Sequence, residues 1–223
     1  MKKFALIVAG GSGLRMGTTI PKQFLLLNGR PVLMHTIERF HQTKIFDTII
    51  VVLPHSEIGH WEKLKKEFSF QVPHQIVSGG TSRFQSVRNG LDSIKDIEGH
   101  IAIHDGVRPL AGTELIKRCM DELGRSTNAI PAISIVDSLR KIENGISEVV
   151  DRSTLKAIQT PQCFHLALLK NAYLGQEDDS TDDASVFERS GNKIHLVEGE
   201  KSNLKITVLT DLVIAEALLP GVQ

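Results

Sequence analysis

Lys3-Phe4-Ala5-Leu6-Ile7-Val8, followed at once by the residues 9–17 (AGGSGLRMG), is the stretch of sequence that decides the fold. The first six residues form a short apolar run with β-branched content, which is typical of a buried parallel strand. The glycines that follow let backbone N–H groups approach an anion closely, because no Cβ stands in the way. Arg15 adds a planar guanidinium and Lys22, a few residues on, adds a mobile point charge. A strand, a glycine loop and two cations together predict a phosphate-binding site.

The spacing of this loop differs from those of two better-known phosphate loops. A dinucleotide-binding fingerprint requires a third glycine where this chain has Met16. A P-loop requires a lysine after the last glycine, but Thr18 follows Gly17 here. Both of those classes are therefore disfavoured. An ordinary glycine turn with incidental surface cations stays open as the alternative.

Composition limits the remaining functional classes. The chain has 223 residues and 24.6 kDa, which favours one α/β domain spanning residues 1–223. Lysine plus arginine equals aspartate plus glutamate, 26 against 26, so nucleic-acid binding is disfavoured. Cys119 and Cys163 lie far apart in sequence and predict neither a metal cluster nor a disulfide framework. With no signal peptide and no membrane-spanning apolar run in the sequence, we expect a cytoplasmic protein.

Strand and helix patterns alternate along the chain, which predicts a Rossmann-like, mostly parallel sheet flanked by helices. We predict strands at residues 4–8, 48–53, 74–77, 101–104 and 129–133. In the segments between them apolar residues recur at helical spacing, which predicts a helix between each strand and the next. Ligands of such sheets bind beyond the carboxyl ends of the strands. The glycine loop after Val8 and the His104-Asp105 pair both fall at that edge. Among the nine histidines of the chain, we expect His104 to be structural or to order the loop.

The pattern changes in the second half of the chain. Residues 138–150 alternate around Asn144-Gly145, the strongest short signal for a β-hairpin. A two-stranded hairpin is marginal alone and must pack on something, either its own domain or another chain. Farther on we expect a helix that opens at residues 180–183 and ends at Gly191, strands at 194–197 and 206–208, and a closing helix over 211–218.

Several motifs in order resemble one family over nearly the whole chain. The glycine loop with Pro21-Lys22-Gln23, residues 79–86 (GGTSRFQS) and residues 104–109 (HDGVRP) are similar to signatures of sugar- and polyol-phosphate nucleotidyltransferases. Residues 150–152, 159–162, 181–185 and 203–207 complete the set. The chain most resembles the 2-C-methyl-D-erythritol 4-phosphate cytidylyltransferase family of the non-mevalonate isoprenoid route.

This resemblance implies an activity and a set of site residues. The expected reaction joins CTP to 2-C-methyl-D-erythritol 4-phosphate and releases pyrophosphate, with a divalent cation, Mg²⁺, neutralising the phosphates. The resemblance implies that residues 137–153 are an arm that embraces a second subunit in a homodimer. The expected catalytic residues are Arg15, Lys22, Arg152 and Lys205. The expected nucleotide-binding residues are Ala9, Gly10, Gly11, Gly13, Gly80, Thr81, Arg83, Ser86 and Asp105. The expected acceptor-binding residues are Asp105, Arg108, Thr160 and Thr181.

Two departures keep alternatives open. The chain has Gly10 where the methylerythritol enzymes more often have alanine, and Gly106-Val107 where they usually have two alanines. Both changes are more similar to ribitol-5-phosphate cytidylyltransferases, whereas residues 181–185 (TDDAS) fit the methylerythritol family better. A catalytically inactive nucleotide-binding module is the alternative from another class, and a nicotinamide-dependent oxidoreductase is disfavoured by the glycine spacing.

Overall fold

The computed structural model describes residues 1–10, 20–176 and 180–221. Its strands are β1 Lys3–Val8, β2 Leu26–Leu27, β3 Arg30–Pro31, β4 Thr48–Leu53, β5 Gln75–Ser78, β6 His100–Asp105, β7 Asn128–Ser134, β8 Leu139–Glu143, β9 Ile146–Val150, β10 Lys156–Ile158, β11 Gln162–His165 and β12 Leu196–Glu198. Its α-helices are α1 Val32–Gln42, α2 His55–Glu67, α3 Arg83–Ser93, α4 Thr113–Glu122, α5 Leu166–Leu174, α6 Asp183–Arg189 and α7 Leu209–Leu218.

The main sheet has the strand order β10-β7-β11-β6-β1-β4-β5, and β12 pairs with β7. Strands β6, β1, β4 and β5 are mutually parallel. Strand β11 lies antiparallel between β6 and β7, and β10 also pairs antiparallel with β7. The predicted Rossmann-like, mostly parallel sheet flanked by helices is confirmed.

Helices cover both faces of the sheet, which explains why β1 is apolar at every position from Phe4 to Val8. Ala5 and Ile7 point into a core that includes residues of α1, α2 and α4, among them Phe40 and Trp61. Phe4, Leu6 and Val8 point into the opposite core, with residues of α3, α5 and α6. The fully buried Trp61 is therefore a core residue, as its helical spacing predicts.

Most predicted elements lie within one or two residues of the observed ones, but three regions differ. The two-residue strands β2 and β3 were not predicted. The strand predicted at residues 206–208 is wrong. The backbone N–H groups of Thr207 and Val208 both donate to Asp211 Oδ2, at 2.7 and 2.9 Å, so they cap α7 and do not enter a ladder. Strands β10 and β11 and helix α5 were not predicted, because short segments without clear periodicity take their structure from tertiary pairing.

The predicted hairpin is confirmed as β8 and β9, which form a two-stranded sheet of their own. Asn144 and Gly145 both have positive φ, 51° and 78°, as the tight turn requires. Three of its large apolar side chains, Ile142, Ile146 and Val149, are at least 65% exposed. Of the helices described here, α1 to α7, none combines the length and the apolar character that crossing a membrane requires.

Candidate active site

The described site residues, with the exception of Arg152, converge at the carboxyl edge of the parallel strands. Strand β1 ends at Val8 beside Asp105, the last residue of β6, and β5 ends next to Gly79. Ala9 N donates to Val52 O, and Gly106 N donates to Val8 O. Both bonds extend the hydrogen-bond pattern of the parallel strands by one residue into the loops, so the strand order fixes where these loops begin.

A cleft of about 300 Å³ lies at this edge, and we call it the nucleotide cleft. It is lined by most of the described residues that the sequence assigns to the nucleotide and its triphosphate: Ala9, Gly10, Lys22, Gly80, Thr81, Arg83, Ser86 and Asp105. Lys205 and Gln23 also line it. Gly11, Gly13 and Arg15 lie outside the described residues.

The far wall of the nucleotide cleft is a loop held by one hydroxyl. Ser86 Oγ accepts a hydrogen bond from Gly80 N at 3.1 Å and donates one to Ser82 O at 2.7 Å. A Cβ on Gly80 would lie 2.0 Å from Cγ of Gln85. Gln85 is itself anchored, because its Nε2 donates to Asn89 Oδ1 at 2.9 Å. Glycine is therefore required where this loop passes against α3.

A second cleft of about 360 Å³ adjoins the first, and we call it the acceptor cleft. Its lining includes all four residues predicted to bind the acceptor, namely Asp105, Arg108, Thr160 and Thr181. Asp105, Arg83 and Lys205 line both clefts. These three side chains therefore form a shared wall between the two clefts.

Asp105 is the electrostatic centre of this wall. Its Oδ2 lies 2.9 Å from Lys205 Nζ and 3.4 Å from Arg108 Nε, and its Oδ1 lies 3.7 Å from Arg83 Nε. Burial alone would raise the pKa of the Asp105 carboxyl, but Arg83, Lys205 and Arg108 together lower that pKa well below its ordinary value. The carboxylate stays ionised and can orient three cations at once.

Arg83 is held from behind by a buried carboxylate that the sequence analysis did not assign to the site. Its two terminal nitrogens donate to the two oxygens of Asp183, at 3.0 and 2.6 Å, and Tyr173 Oη donates to Asp183 Oδ1 at 2.7 Å. Asp183 is fully buried. Burial alone would lower the pKa of Arg83, but Asp183 and Asp105 raise it above its ordinary value, so the guanidinium remains charged. No local sequence signal links residues so far apart in the chain.

His104 is structural, as expected. It is fully buried, and its Nε2 faces Arg108 O at 3.1 Å while its Nδ1 faces Thr160 Oγ1 at 2.9 Å. Burial lowers the pKa of His104 to about 4, so the ring is neutral at pH 7. Nε2 must then donate to the carbonyl, and Nδ1 accepts from the Thr160 hydroxyl. Thr160 Oγ1 in turn accepts from Asp105 N at 3.1 Å, so the imidazole fixes both Asp105 and Arg108.

The segment around Asn203 holds two residues of the acceptor cleft, Arg108 and Thr160, in place. Asn203 O accepts from Arg108 Nη1 at 2.8 Å, and Asn203 Nδ2 donates to Thr160 O at 2.7 Å. Ile206 N donates to Val107 O at 2.9 Å. Lys205, which lies between these two anchored residues, is thereby placed over Asp105.

Arg152 is not brought to either cleft within this chain. It is exposed beyond the end of β9, and its Nη1 donates to Val136 O. Asp151 precedes it and caps its short 3-10 turn through Ser153 N at 2.9 Å. The remaining described residues in the predicted set all line one cleft or both.

The donor set for a metal ion is sparse. Among residues 1–10, 20–176 and 180–221, no group of three or more histidine, cysteine, aspartate or glutamate side chains is arranged to hold an ion. In the described part of the nucleotide cleft Asp105 is the only carboxylate, and cations already engage both of its oxygens. The residues therefore fit an ion that enters with a triphosphate better than an ion held in a protein cage.

Comparisons with known proteins agree on one family. Residues 4–220 match the family model described as IspD, 2-C-methyl-D-erythritol 4-phosphate cytidylyltransferase. The chain is 46% identical over 221 residues to the Bacteroides thetaiotaomicron protein of that name, covering 98% of this chain and 100% of the relative. It is 47% identical over 220 residues to the Bacteroides fragilis protein of that name, again covering 98% and 100%.

Solved structures give the same result. The structure of 4-diphosphocytidyl-2C-methyl-D-erythritol synthase from Anaerococcus prevotii superimposes with a TM-score of 0.83 at 30% identity, covering 98% of both chains. The 2-C-methyl-D-erythritol 4-phosphate cytidylyltransferase of Thermus thermophilus superimposes with a TM-score of 0.76 at 29% identity, covering 96% of this chain and 98% of the other.

Proposed function

This chain belongs to the 2-C-methyl-D-erythritol 4-phosphate cytidylyltransferase family, and from that membership we propose how its residues carry out the reaction. The enzyme is a nucleotidyltransferase that joins CTP to 2-C-methyl-D-erythritol 4-phosphate in isoprenoid precursor biosynthesis. One observation carries the assignment of roles: the nucleotide and acceptor clefts share the wall of Arg83, Asp105 and Lys205. Two substrates bound in these clefts meet at that wall.

The reaction is an in-line attack by a phosphate oxygen of the acceptor on the α-phosphorus of CTP. A new P–O bond forms, the bond to the β-phosphate breaks, and pyrophosphate leaves. The attacking phosphate is already ionised at pH 7, so the enzyme needs no general base. Its tasks are to position two anions and to stabilise the more negative transition state.

Cations at the two ends of the site supply this stabilisation. Lys22 lines the nucleotide cleft, where we assign it, with Arg15, to the triphosphate. Lys205 lines both clefts and is assigned to the acceptor phosphate, which draws its ammonium away from Asp105. We assign the polyol and its phosphate to Asp105, Arg108 and Thr181 in the acceptor cleft. Because its hydroxyl is engaged by His104 and Asp105 N, Thr160 acts mainly by holding Asp105.

We attribute the preference for cytosine to the Ser86 hydroxyl, whose proton is engaged in a hydrogen bond within the protein. Ser86 Oγ donates to Ser82 O and accepts from Gly80 N, so what it offers to a base is its remaining lone pair. The exocyclic amine of cytosine can donate to that lone pair, whereas the O4 of uracil cannot. Gly80 and Thr81 complete the proposed base-reading loop, where the larger purines would not fit.

A divalent cation is general in nucleotidyltransferases of this family, and we propose Mg²⁺. The ion would enter with CTP, held by phosphate oxygens and water, with Asp105 nearby. It would neutralise charge on the triphosphate. The buried free thiols Cys119 and Cys163 suit a reducing compartment, and we propose the cytoplasm.

An assay of pyrophosphate release tests the proposed reaction. Purified protein is mixed with Mg²⁺, one of the four nucleoside triphosphates, and either 2-C-methyl-D-erythritol 4-phosphate or ribitol 5-phosphate. We expect release with CTP and the methylerythritol acceptor, and little release with UTP, ATP or GTP. Equal turnover of all four nucleotides would contradict the proposed role of the base-reading loop. A preference for ribitol 5-phosphate would contradict the proposed acceptor substrate.

We also propose a homodimer in which the hairpin reaches a second copy. Among the described strands, β8 and β9 pair with each other alone, and they expose Ile142, Ile146 and Val149. They lead into Arg152, which lies outside both clefts of its own chain. A two-stranded ribbon with exposed apolar side chains is marginal in water. If it packs on a second copy, Arg152 can serve the acceptor cleft of that copy.

Complementation between inactive variants tests this arrangement. Lys22→Ala and Arg152→Ala are each expected to be inactive, yet a mixed dimer holds one intact site and one site that lacks both residues. Activity should therefore return when the two variants are mixed and allowed to exchange subunits. If labelled subunits are shown to exchange and activity stays absent, Arg152 does not act across the interface.

A further inference from the structure

Gln23 is buried in the wall of the nucleotide cleft with neither end of its carboxamide satisfied. The residue is 1% exposed, and Nε2 and Oε1 have no hydrogen-bond partner among the residues that the structure describes. It lies in the short 3-10 turn Lys22–Phe24, directly after the proposed triphosphate-binding Lys22. An unsatisfied buried polar group typically costs about 1–3 kcal/mol of stability.

Other buried glutamines at this edge of the sheet are fully bonded. Gln159 Nε2 donates to Glu200 O at 2.8 Å, and its Oε1 accepts from Glu200 N at 3.1 Å. Gln162 Nε2 donates to Asp182 Oδ2 at 2.8 Å, and its Oε1 accepts from Ala184 N at 2.8 Å. Among the buried glutamines that the structure describes, Gln23 is therefore the exception, and no contact with another described residue accounts for it.

The turn that carries Gln23 is fixed in place by its own backbone and by the side chain that follows. Phe24 N donates to Pro21 O at 2.8 Å and Leu25 N donates to Lys22 O at 3.3 Å, which closes the turn. The next side chain, Phe24, is buried with its ring centroid 4.8 Å from that of His60 and 6.2 Å from that of Trp61. The turn is anchored, so Gln23 stays in the wall of the nucleotide cleft.

We propose that the Gln23 carboxamide is a nucleotide-binding group, with Nε2 donating to an oxygen of the phosphate chain of CTP. This inference rests on the proposed function of the cleft. The phosphate chain is the matching partner because Gln23 directly follows Lys22 in the same turn, and both residues line the nucleotide cleft together with Gly10. A neutral donor next to a lysine adds a directional contact without adding charge. Its Oε1 can accept a hydrogen bond from a hydroxyl of the ligand or from a water molecule bound with it.

Gln23→Met tests this assignment, because methionine keeps nearly the same volume and removes both unsatisfied atoms. Gln159→Met is the matched control, since it removes a buried amide whose hydrogen bonds lie within the protein. The melting temperature of each protein is measured without ligand and with Mg²⁺ and CTP, and KM for CTP and kcat are measured separately.

We expect Gln23→Met to melt no lower than the wild-type protein without ligand, whereas Gln159→Met melts lower. We expect the thermal shift that CTP causes to fall by more than half in Gln23→Met, with KM for CTP rising about tenfold, as the loss of one hydrogen bond to a charged group predicts. An unchanged CTP shift and KM would overturn the inference. A lower melting temperature of Gln23→Met without ligand would also overturn it, because the amide would then be satisfied inside the protein.

The wild-type protein distinguishes failure of this inference from failure of the proposed function. If another nucleoside triphosphate stabilises the wild-type protein and CTP does not, the nucleotide assignment is wrong, and Gln23→Met is judged on the shift caused by that other nucleotide. If the wild-type protein responds to CTP and Gln23→Met responds equally, only the role of Gln23 is wrong.

Discussion

Lys205 Nζ lies 2.9 Å from Asp105 Oδ2, and this pair joins the end of the β6 strand to the segment that precedes α7. The Asp105 side chain is 12% exposed, whereas the Lys205 side chain is 41% exposed. The lysine can therefore leave the carboxylate for a substrate phosphate, while the carboxylate stays in place between Arg83 and Arg108. The ion pair holds the lysine ready at the point where the two clefts meet.

Replacement of Lys205 by methionine should remove this cation with little change in volume. Because a fixed charged donor at the reacting phosphates typically contributes about 10²- to 10³-fold in rate, we expect kcat/KM for the acceptor to fall by that order. Steady-state kinetics of pyrophosphate release measure the effect. Lys63→Met, on the exposed side of α2, is the control and should retain wild-type kinetics. Wild-type kinetics in Lys205→Met would contradict the role.

Gly80→Ala should damage the nucleotide cleft. The added Cβ would lie 2.0 Å from Cγ and 2.4 Å from Cβ of Gln85, so the loop or helix α3 must move. We expect the thermal shift that CTP causes to fall and KM for CTP to rise more than about tenfold, because a misplaced loop no longer presents its backbone to the base. Gly59→Ala in α2 is the control: no atom lies within 4 Å of its added Cβ, and it should stabilise the protein by about 0.5–1 kcal/mol.

Asp183→Asn should destabilise the fold and also disturb the shared wall. The substitution leaves the half-buried Arg83 without its bidentate partner, and because Asp183 is fully buried the loss should approach the ~3–5 kcal/mol that breaking a buried pair typically costs. Chemical denaturation measures the free energy of unfolding. Glu114→Gln removes the exposed ion pair with Lys117 and should cost less than about 1 kcal/mol. Similar small losses in both variants would show that the buried pair contributes little.

The stability of the protein should fall as the pH drops from about 6.5 to about 4 because of His104. Burial lowers the pKa of His104 from 6.5 to about 4 in the folded protein. In this window the unfolded chain binds the proton and the folded protein does not, so acidification favours unfolding, by up to about 3 kcal/mol. The free energy of unfolding measured across this window should slope less steeply in His104→Asn. Equal slopes would mean that another group causes the loss.

The sequence predicts those strands and helices whose local residue pattern alone is enough to specify them. Strands β1 and β4 are long, apolar and bounded by loops, and their parallel order follows from the helices between them. Strand β11 has four residues, Gln162–His165, and its antiparallel position depends on the edges of β6 and β7. No property of those four residues alone specifies that position.

The candidate site divides in the same way. Residues that lie in loops after strands, such as Gly80 and Asp105, carry local motifs and were predicted. The Asp183 contact of Arg83 and the unsatisfied amide of Gln23 were not, because each depends on which residues the fold brings together. In the sequence Asp183 is an acidic residue in the first turn of a predicted helix, where acidic residues are common. That position gives no indication that Asp183 also binds Arg83.

The position of β11 between β6 and β7 bears on how the enzyme forms during synthesis. The ribosome delivers β6 and β7 in succession, yet these strands are not neighbours in the sheet, and the strand that joins them is made later. A nascent chain that ends before Gln162 therefore carries an open strand edge on β6, which is a hazard for aggregation. Thr160 lies just before β11 and binds Asp105 at the end of β6. Pairing of β11 thus closes the exposed edge and seats Thr160 against Asp105 in one event, and the residues that complete the acceptor cleft, Thr181 and Lys205, are made only after this edge can close.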